Sequence, residues 1–581
     1  MLEGVTKTGS FQSKTFNMKF NENNQKTHLK VPEWAKQIIW YQIFPERFRK
    51  GYSHNNPTLS YFSKKNIKDW EITPFGKEWF HRSKWESEIS DKFYHTVNYR
   101  RYGGDFKGIL DSIQYLKKLG ITGIYLNPVF MAPSNHKYDA SVLHHIDPYF
   151  GSDPQGDFKI INKEISPENP AEWQWTKADI EFLELIEVFH ENGIKVIIDG
   201  VFNHSGRDFF AFKDIIKNKK NSKYLDWYTI KRWQKNNKDG FIYKSWLGHK
   251  NLPEFAREEN DFNKPVKKYI FDIVSRWMNP GQGYSGIDGW RLDAVDCINH
   301  GFLNNLAKHI INEKKDALII GEIWHIHPEY ILNNEMHAFM NYPFCYNAVD
   351  LLLNKKGIDY YIKKQINLLS SYPYNNTLVM QNLYSSHDTA RLNNIILNAG
   401  MDLSLTDHFQ KTKLQFSHKY KIGRIGRNLE KIRKLLLVIQ FISPGAPMIY
   451  YGDEVGMEGA NDPDCRKPML WEDIEYEDEI KHPIFGVKKQ EENTINYELF
   501  EFYQKIIKIR KKYKALNYGE FEYKKINDNI LKIKRFLEDE FVITYVNISN
   551  VLEEFEDSRN FYKIKPCSAK IIDNHGVYYD I

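Results

Sequence analysis

Short apolar segments alternate with helical patterns over most of this chain, and the alternation limits the folds that it can adopt. One helical pattern starts at Lys107 and stops at Gly120, and the apolar residues 121–126 follow it directly. A second begins at Thr176, with Asp179 placed as in a helix capping box, and leads into the apolar residues 194–202. Strands that alternate with helices predict a parallel sheet with helices packed outside it.

Eight apolar segments can be assigned as strands of this sheet. They are residues 38–44, 121–126, 194–202, 286–296, 317–323, 338–342, 378–383 and 447–451. Eight strands, mostly separated by helical segments, predict an α/β chain folded as a (β/α)8 TIM barrel. Functional side chains of such a barrel lie at the carboxyl ends of its strands.

The chain is long enough for more than one folding unit, because its 581 residues exceed the size of a single hydrophobic core. We assign the barrel to residues 34–518, after a polar leader at 1–33. Residues 205–263 are too long for a simple connection and predict an inserted subdomain after the third strand. Residues 519–581 alternate with period two and predict a C-terminal antiparallel β-sandwich. Residues 47–101 lack periodicity and are expected to form an extended loop.

The charge of the chain argues against two classes of partner. The chain has 81 Lys and Arg residues and 75 Asp and Glu residues, which gives a net charge of +6. Residues of the two signs are interspersed along the sequence. We therefore expect neither nucleic-acid nor membrane binding. The start of the chain as given lacks the apolar core of a signal peptide, so we expect a cytoplasmic protein.

The cysteines give no sign of a disulfide or a metal site. They are widely scattered, without metal-ligand spacing: Cys297, Cys345, Cys465 and Cys567. We expect free thiols in a reducing compartment.

The fourth predicted strand carries charge inside an apolar segment. Because side chains alternate along a strand, Arg291 and Asp293 share one face. This pair is either a structural ion pair within the core or part of a functional site. The ends of the other strands decide between these alternatives.

Polar residues follow several of the predicted strands at the point where each strand ends. The third strand ends in Asp199 to His204, the fifth ends in Glu322 to His325, and His387 and Asp388 follow the seventh. A barrel brings these ends together, and several carboxylates in one pocket cost stability unless they serve a function. The pattern predicts an active site.

These strand ends also resemble the signature segments of the α-amylase family of glycoside hydrolases. The matching segments occur in the family's order: Asp-Gly-Val-Phe-Asn-His at 199–204, Gly-Trp-Arg-Leu-Asp at 289–293, Gly-Glu-Ile-Trp-His at 321–325 and Ser-Ser-His-Asp-Thr-Ala-Arg at 385–391. Supporting matches lie at 135–139, 341–344, 450–454 and 462–468. The last groups are most similar to the neopullulanase and cyclomaltodextrinase branch.

The resemblance implies roles for three carboxylates. Asp293 is expected to be the nucleophile, Glu322 the general acid/base, and Asp388 a third carboxylate that binds sugar hydroxyls. Retaining glycosidases need two carboxyl groups about 5–5.5 Å apart. We expect Arg291 to keep Asp293 ionised, and Trp324 to raise the pKa of Glu322.

The resemblance also implies a set of substrate-binding residues. These are Tyr138, Asp199, His204, Arg291, Trp324, His325, His387 and Arg391. His204 and His387 are expected to donate hydrogen bonds to the sugar, and Tyr138 to stack beneath its ring. Asp199 could instead order the third loop through hydrogen bonds, or touch a cation with Asn203.

Several features depart from the branch. It usually carries a further β-domain before the barrel, which we expect to be lacking because the first strand starts by Ile38. Cys297 stands where the branch has Glu. This replacement should favour water over a second sugar as the acceptor of the glycosyl group. The segment after Arg47 lacks an acidic calcium loop, so we expect no required cofactor and no metal ligands, although a structural calcium stays open.

The sequence therefore predicts a retaining hydrolase of α-1,4-glucosidic bonds. Its expected substrates are maltooligosaccharides and starch-type glucans, and cyclodextrins or pullulan stay open. An α-1,6-glucosidase or a glucanotransferase is the alternative, because water and sugar acceptors compete for one intermediate. A non-catalytic carbohydrate-binding barrel is a further alternative, which the presence of all three carboxylates disfavours. We expect a monomer rather than a dimer.

Overall fold

The computed structural model describes residues 16–17, 29–63, 65–404, 408–576 and 578–581. The strands, in chain order, are β1 (Phe16–Asn17), β2 (Trp40–Ile43), β3 (Gly123–Leu126), β4 (Lys195–Gly200), β5 (Ile230–Trp233), β6 (Phe241–Tyr243), β7 (Gly289–Leu292), β8 (Leu318–Gly321), β9 (Ala338–Asn341), β10 (Gln381–Asn382), β11 (Ala446–Tyr450), β12 (Glu479–His482), β13 (Gly486–Glu491), β14 (Glu520–Lys525), β15 (Ile530–Leu537), β16 (Glu540–Asn547), β17 (Glu553–Asp557), β18 (Asn560–Ile564), β19 (Ser568–Asp573) and β20 (Tyr578–Asp580).

The α-helices are α1 (Pro45–Phe48), α2 (Leu59–Phe62), α3 (Lys84–Ile89), α4 (Phe106–Asp111), α5 (Ile113–Leu119), α6 (Pro154–Ile161), α7 (Lys177–Glu191), α8 (Phe210–Asn218), α9 (Lys264–Met278), α10 (His300–Glu313), α11 (Glu329–Leu332), α12 (Tyr342–Leu352), α13 (Ile358–Ser370), α14 (Tyr374–Thr377), α15 (Leu392–Leu397), α16 (His408–Lys411), α17 (Arg427–Ile442), α18 (Tyr497–Lys512) and α19 (Lys514–Tyr518). Within these ranges, no helix combines the length and apolar character needed to cross a membrane.

Eight parallel strands close into a barrel. Their order around the barrel is β2, β3, β4, β7, β8, β9, β10 and β11, and β11 pairs with β2 to complete the ring. All eight lie within or overlap the segments predicted from the sequence, and the predicted fold class is confirmed. Most of these strands are short apolar runs because a parallel sheet covered by helices is buried on both faces, whereas β10 consists of the buried polar residues Gln381 and Asn382.

The helices pack on the barrel through one apolar face. In α9, residues at helical spacing are buried, among them Val266, Ile270 and Ile273. Helix α7 begins with the predicted capping box, in which Thr176 accepts from the Asp179 backbone N–H and the Asp179 side chain accepts from that of Thr176. The helices thus cover the barrel and leave the carboxyl ends of its strands to the connecting loops.

The connection after β4 is long and has its own structure. Residues 205–263 contain α8 and the antiparallel pair β5 and β6. An isolated bridge between His204 and Glu254 joins the beginning of this connection to its later part, near the end of β4. An ion pair between Arg207 and Asp239 at 2.7 Å holds the connection together.

Residues 47–101 were predicted as an extended loop, and the structure gives them more order than that. They contain α2 and α3, and they bury large aromatic side chains such as Trp79 and Trp85. A fully buried ion pair between Arg100 and Glu86 at 2.8 Å fixes their end. Helices this short leave no readable periodicity in the sequence.

The C-terminal unit is an antiparallel sheet with the strand order β1, β14, β15, β16, β19 and β20. Alternate residues face opposite sides, so that Ile533 and Ile571 join the main core. On the other face, Ile530 and Tyr545 form a small core with Phe555 from the separate pair β17 and β18. Part of the predicted polar leader, Phe16–Asn17, pairs with β14 at the edge of this sheet.

Candidate active site

Three carboxylates lie just beyond the ends of three barrel strands. Asp293 follows β7, Glu322 follows β8, and Asp388 lies beyond β10. The side chains of Asp293 and Glu322 are 9% and 11% exposed, whereas that of Asp388 is 31% exposed. The barrel thus brings together side chains that are far apart in sequence.

Arg291 links two of these carboxylates through its guanidinium group. Its Nη1 lies 2.9 Å from Asp293 Oδ1, and its Nη2 lies 2.8 Å from Glu322 Oε2. Nη1 also donates to Asp199 Oδ1 at 2.7 Å. Arg291 and Asp199 are fully buried. Arg291 holds the two carboxylates and is itself held by Asp199, so the structure supports a positioning role for both.

The backbone after Asp293 also holds Glu322. The N–H of Ala294 donates to Glu322 Oε2 at 3.1 Å. Ala294 is in the left-handed region, with φ 45 and ψ 49, which costs energy for a residue other than glycine. Both contacts engage Oε2 of Glu322, and this geometry is suited to a carboxyl group that exchanges a proton through its other oxygen.

The electrostatics of Asp293 differ from the expectation based on Arg291 alone. Burial raises the pKa of Asp293 well above its usual range, and the charge of Glu322 adds to this, although Arg291 lowers the pKa. The favourable charge of Arg291 therefore does not by itself offset burial and the neighbouring charge of Glu322. Double displacement needs Asp293 as a carboxylate when it attacks the sugar.

Asp388 is held in its ionised form. His387 Nε2 lies 2.9 Å from one carboxylate oxygen, and Arg466 Nη2 lies 2.8 Å from the other. Burial alone would raise the pKa of Asp388, but the contacts with His387 and Arg466 outweigh it and hold this pKa far below its usual range. Asp388 is therefore an acceptor for hydroxyl groups.

Tyr138 joins this group through its ring and its hydroxyl. The ring stacks on His387, with centroids 5.3 Å apart and planes at 5°. The hydroxyl donates to Asp199 Oδ2 at 2.7 Å and lies 2.6 Å from His387 Nε2. Tyr138 and His387 are thus close to Asp388, as the predicted site requires.

His204 has a different set of neighbours. Its ring stacks on Trp246, with centroids 5.3 Å apart, and Asn203 Nδ2 lies 3.1 Å from its Nδ1. Its buried Nε2 has no hydrogen-bond partner in the part of the chain that the structure describes. Burial lowers the pKa of His204 to about 4, so the ring is uncharged at neutral pH.

The remaining predicted binding residues, Trp324, His325 and Arg391, differ in their burial. Trp324 is half-buried and stacks on Tyr342, with centroids 3.7 Å apart, whereas His325 is exposed. Arg391 is fully buried, and its Nη1 contacts Asp453 Oδ1 at 3.0 Å and the Tyr451 carbonyl at 2.6 Å. These contacts make Arg391 part of the protein interior.

Three residues of this region were not identified as site residues from the sequence. Arg466 lies in the segment 462–468, whose resemblance to the family could have identified it. Gln42 on β2 contacts His387, and Trp246 stacks on His204. Nothing in the local sequence of Gln42 indicates that contact, because it depends on the closure of the barrel.

One buried group has the composition of a metal site. The ligand atoms of His144, His145 and Glu164 all lie within 4.8 Å of one another. The Nε2 atoms of both histidines lie 2.9 Å from Glu164. The Nδ1 of His144 contacts the Tyr269 hydroxyl, and the Nδ1 of His145 contacts Asp179. A metal ion bound to these atoms would replace the two hydrogen bonds to Glu164. The contacts observed are those of a buried hydrogen-bond network.

Comparisons with known proteins agree with this geometry. A family model described as the α-amylase catalytic domain matches residues 42–166 and 176–519. A cyclomaltodextrinase from Thermoanaerobacter pseudethanolicus is 33% identical over 545 residues, which are 92% of this chain and 75% of that protein. Neopullulanase 2 from Thermoactinomyces vulgaris is 31% identical over 84% of this chain and 65% of that protein.

A solved structure shares the fold. The type III pullulan hydrolase from Thermococcus kodakarensis superposes with a TM-score of 0.71 at 23% identity, over 94% of this chain and 83% of that one.

Proposed function

This chain belongs to the α-amylase family of glycoside hydrolases, and from that premise we propose that it cleaves α-1,4-glucosidic bonds of maltooligosaccharides and starch-type glucans by double displacement. The observation that carries the proposal is the guanidinium of Arg291, which contacts both Asp293 and Glu322. It holds two carboxyl groups close together at the mouth of the barrel, as a retaining glycosidase requires.

In the first step, the Asp293 carboxylate attacks the anomeric carbon of the sugar. The bond from that carbon to the glycosidic oxygen breaks, and Glu322 gives its proton to the leaving oxygen. In the second step, Glu322 takes a proton from water, and the water oxygen replaces Asp293 at the anomeric carbon. Two inversions at this carbon retain the α configuration.

Asp388 and its neighbours assist the reaction by binding the sugar. An ionised Asp388 accepts hydrogen bonds from sugar hydroxyls, and hydrogen bonds of this kind strengthen as positive charge develops on the sugar ring. Arg466 and His387 hold its two oxygens. The Nε2 of His204, which has no hydrogen-bond partner among the residues the structure describes, offers a further site for a sugar hydroxyl.

Transfer to a second sugar is the alternative fate of the intermediate. Cys297 ends the turn that follows the nucleophile, and it is partly exposed. A thiol at this position is a weak hydrogen-bonding group for an acceptor sugar. We therefore propose that water is the main acceptor.

Product analysis tests the proposal. The purified chain is incubated with maltohexaose, β-cyclodextrin and pullulan, and the products are separated by chromatography. We expect short maltooligosaccharides from maltohexaose, and none from the Asp293→Asn variant. Release of products by that variant at the wild-type rate would contradict the assigned nucleophile, and longer products than the substrate would show transfer.

A further inference from the structure

Gln42 is a buried amide in the first barrel strand that no step above uses. It lies in β2, between the barrel strands β11 and β3, and its side chain is fully buried. Its Nε2 lies 2.9 Å from His387 Nδ1 and 3.0 Å from Asn127 Oδ1. It is thus in direct contact with the histidine that holds Asp388.

The hydrogen-bond network fixes the orientation of this amide. Asn127 uses its Nδ2 to donate to the Tyr138 hydroxyl at 3.1 Å, so its Oδ1 is left as the acceptor that faces Gln42. Gln42 must therefore present its NH₂ group on this side. One hydrogen of that group points to Asn127, and the other points to His387.

This contact determines where the His387 ring carries its hydrogen. An Nδ1 atom that accepts a hydrogen bond cannot also carry a hydrogen in the same direction. The ring hydrogen is then on Nε2, which lies 2.9 Å from Asp388 Oδ2. If the hydrogen were on Nδ1 alone, two acceptors would face each other between His387 and Asp388.

Gln42 gains this contact at a cost. Its Oε1 is buried and has no hydrogen-bond partner among the described residues. An unpaired buried carbonyl destabilises a protein, and an apolar residue of the same length would avoid that loss. The amide is therefore best explained by its donor group.

We propose that Gln42 is a positioning residue that holds His387 in the tautomer with hydrogen on Nε2, so that this N–H faces Asp388 and the Tyr138 hydroxyl. The inference rests on the proposed function, because His387 affects the rate only if Asp388 belongs to the catalytic site. The tautomer itself can be observed without any activity.

The test uses protein labelled with ¹⁵N-histidine and the variants Gln42→Met and Gln42→Glu. The His387 signal is assigned by its loss in His387→Asn. In the wild type, we expect Nδ1 without hydrogen and Nε2 with it. In Gln42→Met, both forms should appear and kcat/KM should fall by about 10–100-fold, the range measured when groups that orient metal-binding histidines are removed. In Gln42→Glu, the carboxylate should place a hydrogen on Nδ1.

Gln381→Met is the matched control. Gln381 is also a buried glutamine of the barrel, but it pairs with Ala446 on β11, whereas Gln42 pairs with Tyr450. It therefore lies nearer the opposite end of the barrel, and its variant should keep both the tautomer and kcat/KM.

A wild-type His387 with its hydrogen on Nδ1 would overturn the proposal, even if Gln42→Met does not fold. Unchanged spectra and rates in a folded Gln42→Met would overturn it as well. If Asp293→Asn stayed active, the proposed function would fail while the spectra still reported on Gln42.

Discussion

Replacing Arg391 by Met should destabilise the protein without changing how it binds sugar. The family resemblance places Arg391 among the substrate-binding residues, but its guanidinium is buried against Asp453 and the Tyr451 carbonyl. It also lies over the Tyr450 ring, 4.5 Å from its centroid. The variant Arg391→Met keeps most of the side-chain volume and removes the charge.

The size of the effect follows from the ion pair. Removing one partner of a buried ion pair costs about 3–5 kcal/mol, because the other charge is left buried and unpaired. Burial already raises the pKa of Asp453, so this acid can take up a proton when Arg391 is lost. We therefore expect the lower end, about 3 kcal/mol. With an unfolding entropy of about 2 cal/mol/K per residue, a domain of this size should lose about 3 °C in Tm.

Thermal unfolding and steady-state kinetics on maltohexaose measure the two effects separately. Arg207→Met is the control, because its pair with Asp239 is partly exposed and should contribute only about 0–1 kcal/mol. We expect a lower Tm for Arg391→Met with KM and kcat near those of the wild type. An unchanged Tm together with a several-fold higher KM would refute the structural role and show that Arg391 contributes to substrate binding.

Two further predictions concern the carboxylates. Asp293→Asn, Glu322→Gln and Asp388→Asn should each remove nearly all turnover, because each carboxyl group acts in the transition state rather than in packing. Circular dichroism should show an intact fold for all three. Near wild-type turnover in any variant would exclude the role assigned to that residue. Burial raises the pKa of Glu454 to about 7, so its contribution to stability is complete below its unfolded pKa and is lost as pH rises through 7. Glu454→Gln keeps the acceptor for the Tyr41 hydroxyl and should therefore reduce the fall in Tm between pH 5 and pH 8. An identical pH dependence of Tm in the variant and the wild type would contradict the burial argument.

The barrel could be predicted from the sequence because its signals are local. Most of the strands lie in short apolar runs, as is typical of strands buried on both faces, and the capping box at Thr176 marks a helix start by itself. The three carboxylates could be predicted because each lies at the end of such a run. A barrel brings those ends together wherever they occur in the chain.

The contacts around the carboxylates could not be predicted in the same way. Gln42 and His387 are 345 residues apart, and only the closure of the barrel brings them together. The burial of Arg391 depends on Asp453, which belongs to the loop after β11. For Asp293, the sequence shows the favourable charge of Arg291, but the burial that raises its pKa appears only in the folded chain. Properties that depend on desolvation and on distant partners need the structure.

The stereochemistry of the first product tests the central claim most directly. Proton NMR follows the anomeric signals of maltohexaose during the first minutes of hydrolysis, before mutarotation mixes them. If Asp293 attacks the sugar and Glu322 assists as acid and then as base, the α-anomer must appear first. Initial release of the β-anomer would mean a single displacement by water, and it would contradict the covalent role assigned to Asp293.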